Sequence, residues 1–274
     1  MAYGLLKGKR GIISGALDEN SIAWKVALMA KEEGATFTLT NAPIAMRMGA
    51  INKLAEQCEA QIIPADATSV EDLEKLYNGS IEALGGKVDF VLHSIGMSPN
   101  IRKGREYGDM NYDWYMKSLD VSALSLHKFL QVAEKLDAIN EWGSVVGLSY
   151  IAAQRTYPFY TDMADAKAML ESIARGYGYR YGKAKKVRVN TISQSPTKTT
   201  AGTGISGFSS FYDFADKMSP LGNASAEDCA SYVITLFSDL TRMVTMQNLF
   251  HDGGYSSTGV SEELMEMIQQ QQQQ

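Results

Sequence analysis

A tyrosine and a lysine seven residues apart form the pairing in this sequence that is best suited to chemistry. Tyr160 and Lys167 stand in the segment Tyr160-Thr161-Asp162-Met163-Ala164-Asp165-Ala166-Lys167, which continues into an apolar helical pattern through Leu170 and Ile173. Seven steps of about 100° return a helix nearly to the same face, so we expect both side chains to point the same way. A lysine near a phenol favours the phenolate and lowers its pKa. Such a tyrosine suits donation of a proton or a hydrogen bond to an oxygen that gains negative charge.

The alternative interpretation of this segment is a tyrosine-rich amphipathic helix with a solvated lysine, and the segment alone does not decide between the two. The predicted elements around it favour chemistry, because strands and helices alternate along the chain. Strands are predicted at 10–16, 35–40, 61–66, 87–94, 142–148, 187–192 and 248–251, and helices include 21–30, 111–139, 160–181 and 227–238. This alternation predicts an α/β fold with a Rossmann-type, doubly wound parallel sheet of about seven strands, which binds ligands at the carboxyl ends of its strands.

The domain organisation is expected to be simple. A length of 274 residues with 45% hydrophobic residues is enough for a full core, and no internal repeat or domain boundary is found. We expect one dinucleotide-binding domain over residues 1–257. It includes a lid rich in glycine, serine and threonine at about 196–220. Residues 258–274 form a tail that ends in a disordered polyglutamine tract.

A phosphate-binding turn is predicted between the first strand and the first helix from the order of these elements, not from a glycine motif. Gly15 is the one glycine in the loop before Ser21, so the GxGxxG fingerprint is absent and the order strand, glycine turn, helix, strand carries the prediction. Asp66 and Gly96 follow the third and fourth predicted strands, where a nucleotide would lie. Taken locally, Asp66 is equally well explained as a helix cap and Gly96 as a plain turn.

Composition excludes several classes of function. The net charge of −5 and the pI of about 5.3 argue against a nucleic-acid binder. Cys58 and Cys229 lack a CxxC spacing and are expected to be free thiols, while His93, His127 and His251 form no metal-ligand pattern. With no leader-like segment and no apolar run of about 18 residues, a soluble cytoplasmic protein without a metal or membrane partner is expected.

Six short motifs occur in a specific order along the chain. They are Ser21-Ile22-Ala23, His93-Ser94-Ile95-Gly96, Ser149-Tyr150, Tyr160-x6-Lys167, Val187-Arg188-Val189-Asn190 and Asp252-Gly253-Gly254. Up to about residue 257, the chain resembles the NADH-dependent enoyl-acyl-carrier-protein reductases of bacterial fatty acid synthesis, which are divergent short-chain dehydrogenases/reductases. It departs from that family at Lys25, where glycine is usual, at Gln194-Ser195-Pro196, where Ala-Gly-Pro is common, and at three lid serines where relatives often carry basic residues, Ser206, Ser209 and Ser210.

The resemblance implies reduction of a trans-2-enoyl thioester, carried on acyl carrier protein, by hydride from NADH. Tyr160 would donate to the thioester oxygen as it gains charge, and Lys167 would hold the nicotinamide ribose. Tyr150 would face the same pocket, with packing near the nicotinamide as its alternative role, and Ser98 would line the acyl site. The residues implied to contact cofactor are Gly15, Ser21, Ile22, Asp66, Ala67, Ile95, Gly96, Ser149, Lys167, Thr197, Lys198, Thr199, Thr200 and Ala201.

The sequence also gives an expectation for the cofactor preference and for the assembly of the protein. The second strand ends in Thr40-Asn41-Ala42-Pro43, which offers neither an acid for a ribose 2′-OH nor an adjacent cation for a 2′-phosphate, so NADH is preferred over NADPH. Arg47 is the nearest cation, and NADPH remains the alternative. The resemblance also implies a homotetramer, for which the apolar segment 232–237 is a candidate contact surface.

Two rival functions follow from the same residues. A carbonyl-reducing dehydrogenase of the superfamily needs a Tyr-x3-Lys pair. Tyr157 and Tyr160 lack that spacing, whereas Tyr179 and Lys183 have it but lie too near the end of the helix to reach a cofactor. A nucleotide-binding regulator without catalysis is the other rival, since the glycine loop is weak. It would bind dinucleotide without turnover.

Overall fold

One parallel sheet forms the centre of the molecule. The computed structural model describes residues 2–47, 49–203 and 207–273. The strands are β1 (Arg10–Ser14), β2 (Thr36–Thr40), β3 (Gln61–Ile62), β4 (Val88–His93), β5 (Ile139–Ser149), β6 (Arg188–Gln194) and β7 (Asn248–His251). They pair in the order β3-β2-β1-β4-β5-β6-β7, and every pairing is parallel. The predicted α/β fold with a seven-stranded, doubly wound sheet is therefore confirmed.

Helices connect the strands and cover the sheet. They are α1 (Ile22–Glu32), α2 (Pro43–Met46), α3 (Ala50–Cys58), α4 (Val70–Leu84), α5 (Pro99–Arg102), α6 (Tyr112–Leu119), α7 (Ser125–Lys135), α8 (Thr161–Lys185), α9 (Thr200–Thr203), α10 (Phe208–Met218), α11 (Ala226–Phe237) and α12 (Glu262–Gln272). Parallel neighbouring strands require crossover connections of this kind, because the chain must return to the same end of the sheet.

Alternating strand side chains build two hydrophobic layers, one on each face of the sheet. On β1, Ile12 packs with the layer formed by α4, α7 and α8, whereas Ile13 packs with the layer formed by α1, α3 and α11. Val145 and Val146 of β5 divide in the same way. Because both faces are covered, β1, β2 and β6 are buried along almost their whole length, as strands of parallel sheets usually are.

Three predicted elements differ from the structure. The single helix expected at 111–139 is α6, a π-helical turn at Asp120–Leu124, and α7, after which β5 already begins at Ile139. The third strand is only Gln61–Ile62. The segment 232–237, expected to offer an apolar contact surface between subunits, lies in α11, and its four aliphatic or phenylalanine side chains are buried inside the protein's own core.

The tail also differs from expectation, since α12 runs to Gln272 and includes four of the glutamines expected to be disordered. Ser261 caps this helix by accepting a hydrogen bond from the Leu264 N–H, and glutamine is a good helix former. The tail is attached to α10, because the Ser261 hydroxyl donates to the Lys217 carbonyl over 2.5 Å and Lys217 pairs with Glu263.

Candidate active site

A pocket of about 400 Å³ opens at the carboxyl ends of β1, β4, β5 and β6. This is the edge at which ligands bind in doubly wound sheets. The predicted site residues that line it are Gly15, Ser21, Ile22, Ile95, Gly96, Ser98, Ser149, Tyr150, Tyr160, Lys167, Thr197, Thr199 and Thr200. The fold thus brings together thirteen residues that the sequence distributes over nearly 190 positions.

Gly15 is required at the floor of the pocket by two geometric constraints. Its φ of +91° lies in the region that side chains rarely adopt, and a Cβ at this position would lie 1.9 Å from the Ser94 carbonyl oxygen. The loops after β1 and β4 therefore approach each other more closely than any other residue would allow. This single glycine allows the close approach of the two loops, so the turn forms without the other glycines of the GxGxxG fingerprint.

The N-terminus of α1 faces the same space. Its N-cap residue Ser21 makes no capping hydrogen bond: the Ser21 hydroxyl donates to the Asp18 carbonyl over 2.7 Å and accepts from the Leu17 N–H over 3.3 Å. The first turn of α1 also carries no acidic residue. Its backbone N–H groups and the positive end of the helix dipole are thus suited to an anion such as a pyrophosphate.

Lys167 is buried in the pocket wall and held in place by the end of β5. Its Nζ donates to the Leu148 carbonyl oxygen over 2.7 Å. Burial lowers the pKa of Lys167 to about 8, while the carboxylate of Glu171 raises it. Glu171, itself buried, accepts a hydrogen bond from the Ser149 hydroxyl over 2.7 Å. The lysine and the strand end are therefore fixed by the same turn of α8.

Tyr150 and Tyr160 lie together, with ring centroids 4.9 Å apart, at the apolar end of the pocket. Tyr157 and Phe211 complete this cluster, at 5.5 Å and 6.2 Å from Tyr150. The Tyr150 hydroxyl is buried, and it has no hydrogen-bond partner among the described residues. The Tyr160 hydroxyl likewise has no hydrogen-bond partner in the described part of the chain, so neither phenol is engaged by another protein group there.

One expectation about the pair is wrong for this structure. Burial raises the pKa of Tyr160, whereas the sequence predicted that Lys167 would lower it. Tyr160 is the N-cap residue of α8 and precedes the helix proper, so the helical face that it was expected to share with Lys167 begins only after it. At neutral pH the phenol is protonated, which is the form that donates a hydrogen bond.

Four predicted cofactor residues do not line this pocket. Asp66 is exposed, and its carboxylate accepts from the N–H and the hydroxyl of Thr68. The cap of α4 is Ser69, so the alternative role of Asp66 as a helix cap is also wrong. Ala67 follows Asp66 on the same loop. The Lys198 ammonium lies 4.2 Å from the centroid of the Tyr212 ring, and Ala201 is in α9. Part of the lid, residues 204–206, lies outside the described residues, and Ser206 with it.

Sequence reasoning missed several residues that shape the pocket. Asn41, Met97, Met163 and Phe208 line it, but no motif marks them. Gln194, one of the departures from the family pattern, accepts a hydrogen bond from His251 over 2.7 Å and thereby joins the ends of β6 and β7. Contacts of this kind depend on residues far apart in the sequence, so local patterns carry no signal for them.

The Tyr179–Lys183 pair of the carbonyl-reducing alternative lies away from this pocket. Tyr179 and Lys183 are exposed near the C-terminal end of α8 and do not line the pocket. Across residues 2–47, 49–203 and 207–273, no three His, Cys, Asp or Glu side chains are grouped so that they could hold a metal ion. No helix in those ranges has the length and apolarity needed to cross a membrane.

The fold, the glycine turn and the buried lysine are those of a dinucleotide-binding short-chain dehydrogenase/reductase. The chain belongs to the enoyl-(acyl carrier protein) reductase family, whose pattern it matches over residues 15–256.

Individual relatives agree with this assignment. The chain is 36% identical to the NADH enoyl-[acyl-carrier-protein] reductase FabI of Rickettsia bellii, over 94% of this chain and 98% of the relative. It is 33% identical to NADH enoyl-[acyl-carrier-protein] reductase 2 of Rhizobium meliloti, over 94% and 95%. The crystal structure of the FabI–NADH complex from Alistipes finegoldii superimposes with a TM-score of 0.93 at 66% identity, covering 94% of this chain and 92% of that one.

Proposed function

We propose that this protein reduces the carbon–carbon double bond of trans-2-enoyl thioesters carried on acyl carrier protein, with NADH as the cofactor. The observation that carries the proposal is the division of one pocket into two parts. One part has the Gly15 turn, the N-terminus of α1 and Lys167, whereas the other is an apolar chamber with two tyrosine hydroxyls that have no hydrogen-bond partner among the described residues. Such a pocket suits a dinucleotide beside an acyl chain.

The residues present fit the cofactor. The space that a Cβ of Gly15 would fill lies against Ser94, and the uncapped first turn of α1 opens toward it. Gly15, Ser21 and Ile22 would receive the pyrophosphate, and Lys167 would donate to the ribose hydroxyls. When bound, NADH supplies the hydride for the β-carbon of the enoyl thioester.

Tyr160 would stabilise the negative charge that develops on the thioester oxygen. Its phenol is protonated at neutral pH because burial raises its pKa, and its hydroxyl has no competing partner in the described chain. A neutral donor held in an apolar chamber interacts strongly with a new charge, since little water screens it. Tyr150, 4.9 Å away between ring centroids, is the second candidate donor.

The apolar chamber would hold the acyl chain. Its walls include Met97, Ile101, Met163, Phe208 and Phe211. Methionine and aromatic side chains adapt to flexible aliphatic groups at little cost. By its family, the protein would act in the cytoplasm as a homotetramer.

Purified protein should oxidise NADH when given a trans-2-enoyl thioester and should leave simple ketones unreduced, as followed by the loss of reduced-nicotinamide absorbance. Tyr160→Phe should lower kcat by roughly 10²-fold, the low end for a lost oxyanion donor, while NADH affinity stays near that of wild type. Lys167→Ala should weaken NADH binding as well as the rate. Tyr179→Phe is the matched control on α8, since Tyr179 is 61% exposed and lies away from the pocket.

Three outcomes would change the proposal. Full kcat in Tyr160→Phe would move the donor role to Tyr150. Turnover of ketones with none of enoyl thioesters would favour a carbonyl-reducing dehydrogenase. NADH binding without reduction of any enoyl thioester would leave a nucleotide-binding protein without this activity.

A further inference from the structure

Asp162 is a fully buried carboxylate two residues after Tyr160, in the first turn of α8. Each of its oxygens accepts two hydrogen bonds. The donors to Oδ1 are the Ser98 hydroxyl at 2.7 Å and the Thr161 hydroxyl at 3.2 Å, and those to Oδ2 are the Asn100 amide at 2.9 Å and the Ser118 hydroxyl at 2.7 Å.

Burying a carboxylate lowers the stability of the folded protein unless its charge is compensated. Removing a charge from water carries a large penalty that only multiple hydrogen bonds or a partner charge offset. No lysine or arginine within the described residues pairs with Asp162, so its four donors and the positive end of the α8 dipole supply the compensation. An apolar side chain of similar size would fill the space without this penalty. The carboxylate of Asp162 is therefore expected to hold the groups that donate to it in a defined position.

The four donors come from α5 with its cap, from α6 and from α8, and Ser98 is the one among them that lines the pocket. Ser98 lines the pocket and caps α5, where its Oγ accepts from the Ile101 N–H over 3.1 Å. Asn100 lies in α5 and exchanges two hydrogen bonds with the Asn111 backbone, at 3.0 and 3.1 Å. Ser118 lies in α6. Asp162 therefore joins α5 and α6 to the start of α8 through one side chain.

The backbone beside Asp162 is strained at the residue that links it to Tyr160. Thr161 has a φ of +26°, a region that a β-branched residue rarely occupies. A strained backbone conformation persists only where the surrounding contacts hold it in place, and such residues cluster at active sites. The hydrogen bonds of Asp162 fix one side of Thr161, so they set the direction in which the chain arrives at Tyr160.

We propose that Asp162 is a positioning residue for the reduction. It holds the first turn of α8 so that the Tyr160 hydroxyl points into the acyl chamber, and it holds the Ser98 wall opposite. The inference rests on the proposed function, because only turnover of an enoyl thioester reports on the placement of the Tyr160 hydroxyl.

The test is a comparison of Asp162→Ala with Asp162→Asn. Asp162→Ala removes all four acceptor contacts and should lower kcat by about 10-fold to 100-fold, the scale expected for a donor displaced by about 1 Å. The Kd for NADH should stay within about twofold of wild type, because the cofactor half of the pocket is not touched. Asp162→Asn should recover most of kcat, since its amide can donate to the Ser98 and Thr161 hydroxyls while its oxygen still accepts from Asn100 and Ser118.

Two further variants serve as a control on the same helix and as a substitute for Asp162→Ala. Asp165→Asn removes a carboxylate from the same helix that accepts from the hydroxyls of Tyr107 and Tyr115, and it should keep kcat within about twofold of wild type. If Asp162→Ala does not fold, Ser118→Ala removes one donor to Asp162 from outside the pocket and should lower kcat several-fold with an unchanged Kd for NADH.

The inference is overturned if Asp162→Ala, or Ser118→Ala in its place, keeps the kcat of wild type. It is equally overturned if kcat and NADH affinity fall together, because that pattern indicates general damage. A wild-type protein that binds NADH but reduces no enoyl thioester refutes the proposed function and this inference with it. Active wild type with equally active Asp162→Ala refutes the inference alone.

Discussion

Replacing Glu171 by glutamine should shift the pH dependence of the enzyme through Lys167. Glu171 lies one helical turn after Lys167, both side chains are buried, and the Glu171 carboxylate raises the pKa of Lys167 against the effect of burial. The resulting pKa of about 8 means that kcat/KM for NADH should fall as the pH rises through about 8, because only the ammonium form supplies positive charge and makes charge-assisted hydrogen bonds to a ribose.

The expected size of the effect follows from the geometry. Residues four apart on a helix bring such charges to about 6 Å, where a unit pair interacts by roughly 3 kcal/mol at an effective dielectric constant of about 20. Since about 1.4 kcal/mol corresponds to one pH unit, the alkaline limb of Glu171→Gln should move to lower pH by at least about one unit. The sign is fixed, because losing a nearby negative charge makes the lysine easier to deprotonate.

The assay is the pH profile of kcat/KM for NADH at saturating enoyl thioester, which reports on the free enzyme. Gln154→Ala is the matched control, since it removes a 3.0 Å hydrogen bond to Glu171 but leaves the carboxylate, so its limb should coincide with that of wild type. If the alkaline limb of the Glu171→Gln profile stays in place or moves to higher pH, the inferred effect of the Glu171 carboxylate on the pKa of Lys167 is refuted. A wild-type profile that is flat between about pH 7 and about pH 9.5, a span of about 2.5 units, would refute the role of Lys167 ionisation itself.

Two further predictions concern the cofactor and the assembly. NADH should give a higher kcat/KM than NADPH, because Asn41 directly after β2 donates its amide to the Ala16 carbonyl over 3.0 Å, and among the described residues no cation lines the pocket beside it. A preference for NADPH beyond about tenfold, roughly 1.4 kcal/mol, would contradict this. Light scattering at micromolar concentration should give the mass of a tetramer, for which exposed apolar residues such as Leu221, Leu240 and Met243 offer contact area, and a monomer mass would exclude it.

The strand pattern was sufficient to predict the architecture. Apolar runs such as Phe90-Val91-Leu92 are typical of strands buried on both faces of a sheet, and their alternation with helices leaves few alternatives to a doubly wound parallel arrangement. The last strand, Asn248–His251, has the predicted bounds because a glycine pair ends it. The break in the helix at Asp120–Leu124 was not predictable in this way, since no proline or glycine marks it and tertiary packing decides it.

The order and spacing of short motifs likewise determined the family and most of the residues around the pocket. What the sequence could not supply was the electrostatic state of those residues. It predicted that Lys167 lowers the pKa of Tyr160, whereas burial dominates and raises it. The network of Asp162 and the contact between Glu171 and Ser149 also emerged only in three dimensions. Spacing along a helix determines which side chains share a face, but burial and hydrogen-bond partners are contributed by distant segments, and these set the charge and orientation on which the chemistry depends.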